Sequence, residues 1–89
     1  MEYSEKSHIT TIREVESFFD HLVFERKVNF HPDDAFADYI NVETGEPTFS
    51  SVEISIYDRL MNESFEICEK NNVDIYEIGF RKLSEAITR

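Results

Sequence analysis

Apolar side chains recur every three or four residues along three long stretches of the chain, which is the spacing of an amphipathic α-helix. The clearest stretch predicts a helix over residues 51–70, and Ser50 with Glu53 forms a capping box at its start. The apolar face of this helix is broad, which predicts that the helix packs against two neighbours. The apolar face holds Ile54, Tyr57, Leu60, Met61, Phe65 and Cys68, widened on one flank by Ile56 and Ile67.

An earlier stretch predicts a helix over about residues 12–26, opened by a second capping box from Thr11 and Glu14. His21 falls on the polar side of this pattern, and Phe24 also lies outside the apolar face. The residues of the apolar face are Ile12, Val15, Phe18, Phe19, Leu22 and Val23.

The last stretch is ambiguous, because residues 73–80 alternate apolar and polar side chains as a strand does. Asp74 and Glu77, however, form a variant of the capping box, and a lone strand would have no partner elsewhere in the chain. We therefore predict a helix over about residues 75–87. The residues expected to be buried are Tyr76, Phe80, Leu83 and Ile87.

A shorter helix is predicted over about residues 32–40. Pro32 suits the first helical turn, and the carboxylates of Asp33 and Asp34 are favourable at the positive end of the helix dipole. This helix is expected to bury Phe36, Tyr39 and Ile40.

Composition agrees with the helical pattern. The chain has 89 residues, 40% of them apolar, with only two glycines and two prolines, which favours helices over a turn-rich β fold. We predict one all-α domain over residues 1–89, a small bundle of three longer helices and one short helix. Residues 1–8 are polar and are expected to fray.

The acidic charge is concentrated in the middle of the chain. The net charge is −10, and residues 33–69 hold ten acidic side chains against one basic side chain, Arg59. Such a field repels nucleic-acid phosphate and anionic lipid and attracts basic partners. We therefore predict no direct binding to nucleic acid or membranes.

The expected compartment is the cytoplasm. The N-terminal residues show no pattern of a signal peptide, and no apolar run approaches the length of a membrane span. A single cysteine, Cys68, excludes an internal disulfide and is typical of a reducing environment. Because Cys68 falls on the apolar face, we expect a buried, inert thiol.

The polar face of the central helix is the predicted site of partner binding. It presents Asp58, Asn62, Glu66 and Glu69, which could engage a basic or mixed protein surface. The competing interpretation is that these charges only keep the protein soluble. Neither an activated nucleophile nor a glycine-rich phosphate loop is present, so we expect a non-enzymatic interaction or regulatory protein without a cofactor.

An alternative function is metal binding, or an accessory role in an enzyme, around His31. The carboxylates of Asp34 and Asp38 are four residues apart, so a helix would project both from one face. Imidazole and carboxylate ligands together can hold a divalent metal, but no recognised ligand spacing is present.

Self-association is also expected. The broad apolar face of the central helix and stray apolar residues such as Phe24 exceed what three short neighbours cover. We predict a homodimer at micromolar concentration.

Overall fold

Three α-helices form the framework of the computed structural model, which describes residues 3–88. They are α1 (Ile12–Asp20), α2 (Ser51–Lys70) and α3 (Ile75–Ile87). A π-helical turn, His21–Glu25, continues α1, and a 3-10 turn, Phe36–Asp38, lies in the connection to α2. The remaining regular pairing within residues 3–88 is one antiparallel bridge between residues 40 and 47. The predicted all-α bundle is confirmed.

Local hydrogen bonds define the ends of α2. The Ser50 hydroxyl accepts the Glu53 amide at 3.1 Å, and the Glu53 carboxylate accepts the Ser50 amide at 3.0 Å. At the other end Asn72 takes a left-handed conformation, with φ of 53°. The Val73 amide then reaches back to the Cys68 carbonyl at 2.9 Å, as in a Schellman cap. These caps place α2 over the predicted residues.

The π-helical turn changes which side chains of the first helix are buried. The Arg26 amide bonds to the His21 carbonyl at 2.9 Å, a bond across five residues, so the turn is wider than an α-helical one. His21 is only 6% exposed, and the prediction that it lies on the polar side was wrong. It is buried because the Tyr3 ring packs against it, with 5.0 Å between ring centroids, and the Tyr57 hydroxyl bonds to it.

Aromatic rings fill the core between the helices. Phe36 lies edge-on to Phe49 and Tyr57, with ring centroids 5.4 and 5.5 Å away, and α1 supplies Phe18 on another side. Leu60 of α2 is completely buried in the same core. The 3-10 turn therefore contributes to the core through one side chain, although it is only three residues long.

The buried face of α3 differs from the predicted one. Ile75, Ile78 and Gly79 are buried, whereas Phe80 is 74% exposed and Ile87 is 84% exposed. The helix carries apolar residues on two adjacent flanks, and packing against α1, α2 and the Phe30–Pro32 segment selects the Ile75 flank. Of the four residues expected to be buried, Leu83 is half-buried and the other three are exposed.

The short helix is also much shorter than residues 32–40. Ala35 is extended, with φ of −84° and ψ of 137°, which ends the turn at residues 32–34 before the 3-10 turn begins. Two backbone amides donate hydrogen bonds to side chains and not to the carbonyls of a helix: the Asp33 amide donates to His31 Nδ1, and the Phe36 amide donates to Asp58. Phe36 is buried as predicted, Tyr39 is half-buried, and Ile40 is 57% exposed, contrary to the prediction.

The segment before α1 contacts α2. The Arg59 guanidinium donates to the carbonyls of Ser7 at 2.8 Å and Glu5 at 3.1 Å, and Ile9 is buried in the core. The expected fraying of residues 1–8 concerns motion and stays a prediction, and residues 1 and 2 lie outside the described part of the chain. The single-domain assignment over residues 1–89 likewise stays a prediction.

Candidate functional site

An open acidic groove lies between α2 and the turn at residues 32–35. It has a volume of about 370 Å³. The lining residues are Pro32, Asp33, Asp34, Ala35, Asp58, Met61, Asn62 and Phe65, and we call this region the acidic groove. Two of the predicted partner-binding residues, Asp58 and Asn62, therefore stand beside Asp34, which the sequence had suggested as a helix-start residue and a metal ligand but not as part of the partner-binding site.

The floor of the acidic groove is apolar. Met61 is 4% exposed, and Phe65 beside it is half-buried. Phe65 lies edge-on to the Tyr76 ring of α3, with 6.2 Å between centroids. The Tyr76 hydroxyl donates to Asp33 Oδ1 at 2.7 Å, and this hydrogen bond raises the pKa of Tyr76. α3 thus contributes a hydrogen bond that helps to fix the position of one groove carboxylate.

The charge in the acidic groove is not compensated by its own lining residues. Three of them are carboxylates and none is lysine or arginine. Arg59, the neighbour of Asp58 in α2, donates instead to the carbonyls of the N-terminal segment and to Glu63 at 3.0 Å. Glu66 and Glu69 are exposed further along α2 and extend the acidic surface. The groove therefore presents negative charge above an apolar surface.

The groove carboxylates keep acceptor capacity for a ligand. Asp58 Oδ1 accepts the Phe36 amide at 3.3 Å, and Asp34 Oδ2 accepts the Tyr39 hydroxyl at 3.2 Å. Each ionised carboxylate has about four acceptor positions, so one such bond leaves others open to donors from outside. These internal bonds hold the carboxylates in place and so reduce the entropy that binding would remove.

The proposed metal ligands do not converge. Within residues 3–88 no group of three or more His, Cys, Asp or Glu side chains is arranged to hold an ion. His31 Nδ1 accepts the Asp33 amide at 3.1 Å, and Asp34 bonds to Tyr39. Asp38 is exposed in the 3-10 turn. The metal hypothesis stays a prediction without support from this geometry, and saturable metal binding that is lost in His31→Ala would be the evidence for it.

A second polar region surrounds Tyr57 of α2, and sequence reasoning missed it. His21 Nδ1 is 2.7 Å from a Glu25 carboxylate oxygen, and His21 Nε2 is 2.8 Å from the Tyr57 hydroxyl. Arg26 donates to Glu53 and, at 3.3 Å, to the same hydroxyl. The i, i+4 spacing of His21 and Glu25 was visible in the sequence, but the contact with Tyr57 depends on packing between helices.

This polar region borders a cavity of about 560 Å³, which we call the His21 cavity. It is lined by Tyr3, His21, Glu25, Arg26, Glu53, Ile56 and Tyr57. Burial raises the pKa of Tyr57 and raises that of Tyr3 to about 12, so both hydroxyls stay protonated near neutral pH. The hydrogen bond from Arg26 lowers the pKa of Glu53 and in turn raises that of Arg26. The groups pair with one another, which is typical of a network that holds helices together.

Cys68 and Ser64 have structural surroundings. Cys68 is 2% exposed, and burial raises the pKa of its thiol, which opposes formation of a thiolate. The Ser64 side chain is completely buried, and its hydroxyl donates to the Leu60 carbonyl at 2.8 Å within the same helix.

No protein-family model, curated protein or solved structure matches this chain. In the described residues, none of the helices combines the length and the apolar character needed to cross a membrane.

Proposed function

We propose that this protein is a small, acidic, non-enzymatic interaction or regulatory protein that binds a basic segment of a partner protein in the acidic groove. One observation carries the proposal: carboxylates from two separate parts of the chain, the turn at residues 32–35 and α2, surround one apolar floor. Neither part alone contains this combination.

The groove suits the chemistry of arginine and lysine. Such a side chain has an apolar stem and a charged head, so the stem would lie on Met61 and Phe65 while the head reaches Asp34 or Asp58. Glu66 and Glu69 would meet further basic residues of the same segment, which accelerates association at low salt. This extends the predicted site, Asp58, Asn62, Glu66 and Glu69, by the carboxylates of the turn.

The cytoplasm is the compartment that fits this proposal. Cys68, the single cysteine, is a free buried thiol, which is typical of proteins that function under reducing conditions. The same acidic surface would repel nucleic acid and anionic membranes, so the proposed partner is a protein.

A short fluorescein-labelled peptide of alternating arginine and serine tests the groove directly by fluorescence anisotropy. The key variant is Asp34→Asn/Asp58→Asn, which keeps the side-chain oxygens that accept internal hydrogen bonds. The matched control is Glu43→Gln/Glu46→Gln, because both glutamates are exposed on the distant loop and both double variants change the net charge equally.

We expect the groove variant to bind the peptide about two- to thirtyfold more weakly, since exposed ion pairs contribute about 0.2–1 kcal/mol each. The control should bind like the wild type, and a peptide with citrulline in place of arginine should not bind. Equal weakening in both double variants would show that only net charge matters. That result, or absence of binding at low salt, would refute the proposal.

A further inference from the structure

The outer face of α3 is a largely exposed apolar stripe. Tyr76 is 45% exposed, Phe80 is 74% exposed and Ile87 is 84% exposed, with half-buried Leu83 between the last two. These four residues follow one another at steps of four, three and four, so they lie along one side of the helix. We call them the α3 stripe. Exposed apolar residues aligned in this way are typical of a helix–helix interface.

We propose that the α3 stripe binds the α3 stripe of a second copy of this chain, with the two helices antiparallel about a two-fold axis. The steps of four, three and four read the same in both directions. An antiparallel copy therefore sets Tyr76 beside Ile87 of the second copy and Phe80 beside Leu83 of the second copy. A two-fold interface must be complementary to itself, and this spacing meets that condition.

A groove next to the stripe supplies the shape that the aromatic residues need. It lies between the second half of α3 and the segment at residues 27–29, with a volume of about 260 Å³. Its apolar lining residues are Val23, Val28, Leu83, Ala86 and Ile87. In the antiparallel arrangement the aromatic half of one stripe, Tyr76 and Phe80, meets the groove half of the other. Each copy thus offers both a projecting ring and a place to receive one.

The distribution of charge favours this face over any other for contact between two copies. Residues 70–89 carry a net charge of +1, whereas the rest of the chain carries −11. The basic side chains of Arg81 and Lys82 bond to Glu16 and Asp20 of α1, and the Lys82 bond measures 3.1 Å. Like-charge repulsion is therefore smallest at α3, and an antiparallel pair also aligns the helix dipoles favourably.

The area of the stripe indicates a weak dimer. Its side chains expose roughly 400 Å² per copy, given about 150–250 Å² for a whole aromatic side chain. A standard stable interface buries about 800 Å² per partner, and the stripe by itself supplies about half of that area. A micromolar dissociation constant is the corresponding expectation. The inference does not depend on the function proposed for the acidic groove.

Sedimentation velocity from about 1 to about 500 µM, a range that brackets micromolar affinity, tests the dimer. The wild type should rise from the monomer mass of 10.5 kDa to twice that mass and stop there. Phe80→Gln/Ile87→Gln should raise the dissociation constant at least about tenfold, because it removes the largest exposed parts of the stripe. Val42→Gln/Val52→Gln is the matched control, since these valines are 96% and 59% exposed and do not belong to the α3 stripe.

Three results would overturn the inference: a wild-type monomer over the whole range, equal weakening in both double variants, or a mass that grows beyond the dimer. Circular dichroism of each variant verifies that the helices are intact. Orientation is tested with Tyr76→Cys and Ile87→Cys chains and a short bismaleimide crosslinker. The two positions are about 16 Å apart along the helix, so a mixture should crosslink and each chain alone should not. Efficient crosslinking of either chain with itself refutes the antiparallel arrangement.

Discussion

Tyr57→Phe removes one hydroxyl from the network at the His21 cavity and leaves the aromatic ring in the core. The Tyr57 side chain is 4% exposed and its hydroxyl is 2.8 Å from His21 Nε2, which is itself buried. Among residues 3–88 the Tyr57 hydroxyl is the hydrogen-bond partner of that nitrogen, so the substitution would leave a buried polar atom without its partner.

The expected loss of unfolding free energy follows from that burial. Leaving a buried donor or acceptor without a partner costs about 1–3 kcal/mol. Arg26 also loses a contact at 3.3 Å, but it keeps its bond to Glu53 and its position over the Phe49 ring, 4.8 Å from the centroid. We therefore expect the total to stay within that range, a large share of the stability of about 5–15 kcal/mol that is typical of a domain.

Urea unfolding followed by far-UV circular dichroism measures the effect, since the chain has no tryptophan. Tyr39→Phe is the matched control: its hydroxyl donates to Asp34 and accepts the His31 amide, both at the exposed surface, so its removal should cost less than about 0.5 kcal/mol. His21→Leu combined with Tyr57→Phe removes both partners and should be less destabilising than the sum of the single changes by about 0.5–3 kcal/mol. If Tyr57→Phe matches the control, the hydroxyl does not satisfy a buried group and the reasoning fails.

Three further predictions concern the core, acid stability and the acidic surface. Leu60→Ala should lower the unfolding free energy by about 2–5 kcal/mol in urea melts, because the side chain is 0% exposed and truncation leaves a cavity; a loss below about 0.5 kcal/mol would contradict this. Arg26 lowers the pKa of Glu53 below its ordinary value of 4.5, so this carboxylate stabilises the fold above that pH and loses its effect as the pH falls. The difference in urea midpoint between the wild type and Glu53→Gln should therefore shrink in acid. A difference that is constant with pH would contradict the stabilising role of the ionised Glu53 carboxylate. Glu66→Lys/Glu69→Lys should weaken capture of the arginine peptide with thermal stability nearly unchanged, and an unchanged dissociation constant would remove both residues from the binding surface.

The positions of the helices could be predicted from the sequence because capping is local. Ser50 with Glu53 and the left-handed Asn72 are within a few residues of the ends that they define, and α2 and α3 begin and end where the pattern places them. The segment that begins at Pro32 was harder to predict. Its aspartates fit a helix start, but the Phe36 amide bonds to Asp58, which is distant in the chain, and this contact competes with the helix.

Which face each helix buries was decided by tertiary structure. α3 has apolar residues on two adjacent flanks, and a helical wheel ranks them equally, so the predicted flank of Phe80 proved to be the exposed one. Gly79 packs against Pro32: a Cβ atom placed on Gly79 would lie 3.5 Å from Pro32 Cγ. The flank of α3 that carries Gly79, Ile75 and Ile78 therefore faces inward. His21 is buried and not exposed as predicted, for a similar reason. The spacing of apolar residues reveals neither the π-helical turn that holds His21 nor its contact with the Tyr57 hydroxyl.

The candidate sites divide in the same way. The acidic character of α2 and its residues Asp58, Asn62, Glu66 and Glu69 could be identified from sequence, since charge and spacing along one helix are local properties. The meeting of Asp58 and Asn62 with Asp34 around an apolar floor could not be predicted, because the turn at residues 32–35 and α2 are brought together by the folding of the core around Phe36. Residues distant in the chain become neighbours only through packing, and packing depends on all the helices at once.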